Sequence, residues 1–280
     1  MLNFDQAEGL RRMLETPQKS VFSFLSAQPE NERSGTVINL SAAFAARGQR
    51  TLIVDAKVSA YSVSAWLNLR TDQTLLDVAC ERRTMEFAVK ELSSGLFATK
   101  ISDPRHDGFD RHDYAYRSLA KVFDIAASRA DVVLVDCDLE HQDRHAIAAF
   151  EDSKILIQLS PEPASIKAAY AMMKRLHQDM GLRVFNILVS DASQAQGELI
   201  FANLANTAQR YLSVRLDLLG CIPEDHQVKL AINSGRSVVE AFPLSKASHA
   251  FARITDKLLF NAGDRLRYNS ASLASAHYEY

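Results

Sequence analysis

The run ADVVLVDCD (130–138) is apolar almost from end to end. A strand with one wet face alternates polar and apolar residues. A strand without a polar face must be covered on both sides, as in a parallel sheet between two layers of helices. KSVFSFL, TLIVDA (51–56), LFATKIS, SKILIQLS (153–160), RVFNILVSD and LDLLGCIPED read as further strands, and helix-length segments separate most of them. One of these helices, PEPASIKAAYAMMKRLHQDMG, carries proline at its start and glycine at its end, where each residue suits helix geometry. Strands alternating with helices predict an α/β fold, a doubly wound and mostly parallel sheet flanked by helices.

The chain has 280 residues, 47% of them hydrophobic, which is ample for one sizeable core. Its 32 basic and 34 acidic residues nearly cancel, so no basic field favours nucleic acid as a partner. Cys80, Cys137 and Cys221 have neither metal-ligand spacing nor a disulfide framework and read as small residues of a reducing compartment. No apolar run reaches the ~20 residues of a membrane span, and the N-terminus lacks a signal-peptide pattern, so a cytoplasmic protein is expected. Three parts are predicted. Residues 1–18 hold a short amphipathic helix, DQAEGLRRMLE, broken from the first strand by TPQK; residues 19–262 form the α/β domain; residues 263–280 form a flexible tail. RHDGFDRHD (105–113) reads as a polar loop. KASHAFARITDKLLF (246–260) reads as a helix with Ala247, Ala250, Phe251, Ile254 and Leu258 on one face, suited to core packing, with membrane contact as the alternative.

In a doubly wound sheet, ligands collect at the carboxyl ends of the strands. That directs attention to SAQPENERSG (26–35), to Asp55 and to Asp136. Strand, loop, helix, then a strand closing on aspartate is the opening of a nucleotide-binding α/β domain. A phosphate loop aims successive backbone N–H groups at anionic oxygens, which needs glycine conformations and close approach. Here the predicted loop carries Pro29, Glu30 and Glu32 instead. Proline removes a donor. A carboxylate ~4 Å from a phosphate charge costs on the order of 4 kcal/mol at an effective dielectric of about 20, roughly a thousandfold in affinity. Asp136 and Asp138 have the chemistry to hold magnesium through water, or to cap a helix. His106, His112, His141 and His145 form no metal array and read as surface residues.

Taken in order, four stretches resemble one family, the flagellar-number regulators called FlhG or FleN within the MinD/ParA class of deviant P-loop ATPases. DQAEGLRRM matches that family's DQAxxLR motif at Asp5, Gln6, Ala7, Leu10 and Arg11. VINLSAAFAARGQRTLIVDA, SPEPASIKAAYAMMKRL and LDLLGCIPEDHQVKLAINSGRSVVEAFPLSKASHAF follow at matching spacing. The resemblance spans about residues 4–260. It implies a regulator of flagellum number and placement that stimulates an FlhF-type SRP GTPase through Asp5, Gln6, Ala7, Leu10 and Arg11. Basal-body or transcription-regulator proteins are further implied partners, and family members that bind ATP dimerise around it and associate with the inner membrane.

The departures from the family pattern fall on the nucleotide residues. Against a loop of the form SGKGGVGKS stand Ser26, Ala27, Gln28, Pro29, Glu30, Asn31, Glu32, Arg33 and Ser34. Gln28 takes the place of the lysine that reaches across a dimer, and Arg33 that of the lysine that holds the β- and γ-phosphates. Lys57 stands where a second aspartate is usual, giving DAK after the second strand. DCDLE replaces the glycine-containing DTGAG after Asp136, and Val189 aligns near the usual adenine-contacting asparagine, with Asn186 close by. Ser26, Gln28, Arg33, Ser34, Asp55 and Asp136 are thus read as non-functional equivalents of nucleotide residues, in a pseudo-ATPase without cofactor or catalytic residues. The alternative is a slow ATPase with a rebuilt loop that uses ATP and magnesium and switches between monomer and dimer.

Overall fold

The computed structural model describes residues 19–57, 62–69, 73–102, 113–139, 153–181 and 183–275, with backbone alone at 30–34, 113–117 and 261–275. Eight strands form one sheet: β1 (Ser20–Ser26), β2 (Thr51–Asp55), β3 (Val89–Ser93), β4 (Leu96–Lys100), β5 (Val132–Asp136), β6 (Lys154–Leu159), β7 (Val184–Ser190) and β8 (Arg215–Ile222). Their order is β3-β4-β2-β5-β1-β6-β7-β8, and every pairing is parallel except β3 with β4. The doubly wound, mostly parallel sheet expected from the sequence is the observed one.

Ten helices are described: α1 (Glu30–Ala45), α2 (Val63–Trp66), α3 (Leu75–Ala79), α4 (Met85–Ala88), α5 (Asp113–Ala127), α6 (Pro163–Met180), α7 (Gln194–Leu212), α8 (His226–Asn233), α9 (Val238–Ala241) and α10 (Lys246–Ser275). They cover both faces of the sheet, which is why all five residues of β2 and of β5 are buried. Alternate residues of each strand feed two cores. Val133 and Val135 pack with α3, α5, α6 and α7, while Val132 and Leu134 pack with α1, α8, α9 and α10. On the second side α1 lies between the sheet and α10, so Val37, Ile38, Leu40, Ala43 and Phe44 are buried around much of its circumference. Phe44 stacks on Phe22 of β1 with ring centroids 5.9 Å apart. Asn39 ties α1 to its neighbour by accepting from the Val238 backbone N–H at 2.7 Å. On the other side, a Cβ at Gly197 of α7 would sit 2.2 Å from Cys221 Sγ, so only glycine permits that helix–strand approach.

Three differences from the sequence reading matter. First, α1 begins at Glu30, six residues before the TVINL stretch from which it was expected, and most of the predicted loop is helical. Pro29 takes the N-cap with φ −54° and ψ 148°, a conformation proline favours, and Glu30 and Glu32 follow in the first turn, where the helix dipole favours acidic residues. Second, β3 is an edge strand that the sequence did not signal. Lys90 and Glu91 are exposed on it, as suits an edge that must not recruit another chain. Third, the backbone of α10 runs to Ser275, past the point where a tail was expected; the segment contains no proline to stop it. The apolar face of that helix is a core face: Ala247, Ala250, Phe251, Ile254 and Leu258 are buried against the sheet and α1.

Candidate functional site

The carboxyl ends of β4, β2, β5, β1, β6 and β7 form a polar shelf below the N-terminus of α1. Register sets its composition. Lys100, Asp55 and Asp136 are cross-strand neighbours, and Ser26 pairs with Gln158. Residues in register on parallel strands share a face. Asp55 and Asp136 therefore lie side by side on the α1 side of the sheet.

Asp55 is almost inaccessible, and both its oxygens are engaged: Oδ1 accepts from the Lys57 backbone N–H at 3.0 Å and Oδ2 from the Ser64 N–H at 2.9 Å. It thereby fixes both ends of the segment between β2 and α2. Asp136 is completely buried, and its Oδ2 takes no hydrogen bond. Its partner is an ammonium: Lys57 Nζ lies 2.5 Å from Asp136 Oδ1, and Lys57 is itself only 4% exposed. Burial pushes the Asp136 carboxyl up to about 6, with Lys57 pulling it down and Asp55 and Asp138 pushing it further up. The neighbouring Cys137 thiol is pushed up by burial and by Asp136, so it is an inert packing group.

Beyond β1 the shelf changes character. Gln28 is 3% exposed and turns inward. Its Nε2 donates to Ser190 Oγ at 2.8 Å and to Asp191 Oδ2 at 3.0 Å, and its Oε1 accepts from Gln158 Nε2 at 2.5 Å. Gln158 Nε2 also donates to Ser190 Oγ at 3.1 Å. The Gln28 backbone N–H donates to Ser26 Oγ at 3.3 Å. Only Ala27, Gln28 and Pro29 separate β1 from α1, and the Ala27 N–H is bonded to the Gln158 carbonyl at 2.8 Å.

This arrangement can be set against what a nucleotide and its magnesium require. A phosphate chain needs several converging, unengaged N–H donors. In this turn Ala27 and Gln28 spend their N–H groups on the protein, and Pro29 has none. A divalent cation needs free carboxylate oxygens. Asp55 has none free, and an ammonium sits against Asp136. The residues present do not fit that pair of ligands.

The structure brings Ser26, Gln28, Asp55 and Asp136 onto one shelf. Arg33 and Ser34 fall in the opening turns of α1. Asp5, Gln6, Ala7, Leu10 and Arg11, the 105–112 part of the polar loop, and His106, His112, His141 and His145 lie outside the described residues. Val189 is fully buried in β7, and Asn186 donates to the Ile155 carbonyl at 3.2 Å. Among the described residues no group of three or more histidine, cysteine or acidic side chains is placed to hold a metal. The sequence reading did not place Gln158, Ser190, Asp191 and Ser64 in the site. Gln158 carries a signal in retrospect, being a lone amide in the apolar run KILIQL, where a buried polar group must find partners.

No protein-family model matches the chain. The antiactivator FleN of Pseudomonas aeruginosa is 30% identical over 227 residues, covering 81% of this chain and 81% of its own length. The chain belongs to the FleN branch of the MinD/ParA family. The septum site-determining protein MinD of Synechocystis is 22% identical over 235 residues, covering 81% of this chain and 84% of its own. The fold agrees with solved structures. MinD in the MinC:MinD cell division complex of Aquifex aeolicus gives a TM-score of 0.63 at 21% identity, over 86% of this chain and 96% of that one. The cell division ATPase MinD of Pyrococcus furiosus gives 0.62 at 19%, over 86% and 98%. No helix among the described residues is long and apolar enough to cross a membrane.

Proposed function

We propose that this chain is a regulator of flagellum number and placement that acts by binding proteins, in a MinD/ParA-type domain that has given up ATP. Membership of the FleN branch supports the flagellar role. The observation that carries the loss of nucleotide is the Lys57–Asp136 pair, which sets an ammonium against the carboxylate at the end of β5. Pro29 at the N-cap and the inward turn of Gln28 argue in the same direction. An inward Gln28 also has no reach toward a second subunit, so the chain works without an ATP-closed dimer.

The partner in this reading is an FlhF-type SRP GTPase, engaged by the N-terminal segment through Asp5, Gln6, Ala7, Leu10 and Arg11, with no nucleic acid involved. Stimulating a GTPase requires only that groups be positioned around the transferred phosphate, which needs no nucleotide on the regulator. GTPase assays test this directly. The full chain is expected to accelerate GTP hydrolysis, a chain lacking residues 1–16 is not, and a peptide of residues 1–20 keeps part of the effect. Equal activity from full-length and truncated protein would place the function elsewhere. Calorimetric titration with ATP and magnesium tests the other half. No binding is expected, and a Kd of about 10 μM or tighter, near −7 kcal/mol, would overturn the loss of nucleotide.

A further inference from the structure

The geometry points to Lys57 as a tethered counter-ion that fills a cation position beside Asp136, so that removing its side chain alone opens a divalent-cation site in this domain. The inference deepens the reading of the domain as nucleotide-free, and its test uses a metal without nucleotide.

Three observations converge on it. Asp55 and Asp136 are cross-strand neighbours at the carboxyl ends of β2 and β5, both essentially inaccessible. Two adjacent buried carboxylates demand positive charge, because neither water nor distance relieves their repulsion. Lys57 Nζ supplies it at 2.5 Å from Asp136 Oδ1. The pair is nevertheless incompletely satisfied. Asp136 Oδ2 accepts from no donor although its residue is fully buried. A buried carboxylate oxygen with unused lone pairs is what a hard cation seeks. The ammonium also arrives on a leash. The Lys57 backbone N–H is held by Asp55, the carboxylate beside the one its side chain neutralises, so the charge cannot diffuse away as a bound ion would.

Truncation at Lys57 removes one positive charge and leaves a space next to an unpartnered carboxylate oxygen. Mn2+ then competes with a proton to restore neutrality. Wild-type protein is expected to bind no Mn2+ by electron paramagnetic resonance, and its Tm is expected to be the same with and without 10 mM MnCl2. Lys57→Ala is expected to melt roughly 10 °C lower than wild type, the shift that follows from stranding a buried charge. It should bind one Mn2+, and 10 mM MnCl2 should raise its Tm by about 4 °C. Lys57→Ala/Asp136→Asn should show neither Mn2+ effect. Lys57→Ser, whose hydroxyl and a water can occupy the vacated space, is read in the same way should the alanine variant fail to fold. A folded Lys57 variant that is indifferent to Mn2+ would overturn the proposal, as would wild-type binding of Mn2+ that Asp136→Asn abolishes. The titration of wild type with ATP can fail or succeed independently of either result.

Discussion

The shelf has two halves that solve the same problem differently. On the β2/β5 side, Asp55, Lys57 and Asp136 hold buried charge against buried charge. On the β1/β6/β7 side, Ser26, Gln28, Gln158 and Ser190 are neutral and join through hydroxyl and amide bonds that reach Asp191 only at the edge. The resemblance places an aspartate at 57 and a lysine at 28. In this chain the positive charge stands on the carboxylate side and is missing from the other. The lesson is electrostatic. Two carboxylates already buried on β2 and β5 can dispense with an external cation once a lysine stands among them, whereas a lysine at 28 with no phosphate to meet would be one more buried charge to satisfy.

The largest expected effect breaks the charged half. Lys57→Met should cost ~3–5 kcal/mol at neutral pH, since it removes one partner of a buried pair. The pH dependence separates it from simple loss of packing. The Asp136 carboxyl already lies at about 6, above the ~3.9 of an unfolded chain, and losing Lys57 raises it further. The folded state then keeps a proton that the unfolded chain releases. Stability therefore declines as pH rises from about 4 through the folded value, at up to ~1.4 kcal/mol per unit. Urea unfolding at pH 5 and pH 8 measures this, with the variant's deficit against wild type expected to be smaller at pH 5 than at pH 8. Equal deficits at both values would show that Lys57 serves packing alone.

Breaking the neutral half should cost less. Gln28→Ala removes the donor to Ser190 and Asp191 and the acceptor for Gln158, a loss of about 1–3 kcal/mol. Because no buried ion pair is broken, the deficit should be the same at pH 5 and pH 8. A pH-dependent deficit would erase the contrast between the halves.

The smallest effect comes from a carboxylate held chiefly by backbone N–H groups. Asp225 caps α8 by accepting from the Gln227 N–H at 3.0 Å and also accepts from the Ala247 N–H of α10 at 3.1 Å. Burial works to raise its carboxyl, but these two backbone bonds, His226 and Ser245 outweigh it and hold the group below its ordinary value. Asp225→Ala should cost ~1–2 kcal/mol at neutral pH. A depressed value means the stabilisation is present above about 4 and fades as pH falls through the folded value. The gap between variant and wild type should therefore close in acid, the opposite trend to Lys57→Met. A gap that persists at pH 3 would mean that the side chain matters for its shape, not for its charge.

Much of this was legible in the chain itself. Unbroken apolar runs such as VVLVD and KILIQL can exist only under two layers of helix, and that fixed the sheet as parallel and the site as its carboxyl rim. The absence of glycine between Ser26 and Ser34 was equally plain. What that absence does to the backbone was not. The helix of α1 advances to Glu30 because a cap-compatible proline and helix-competent residues have nothing to keep them extended, and only the folded chain records where such a helix starts. The edge strand β3 escaped notice because an edge needs few apolar residues. The substitution at Lys57 was visible as an oddity of sequence, but its meaning lay in a register. Residue 57 and residue 136 meet because β2 and β5 pair Asp55 with Asp136, and Gln28 meets Gln158 and Ser190 because β1, β6 and β7 end together. Periodicity is local, so the sequence by itself determined which segments are buried and of what kind. Pairing across a sheet joins residues a hundred positions apart, so only the tertiary structure decided which buried charge would neutralise which.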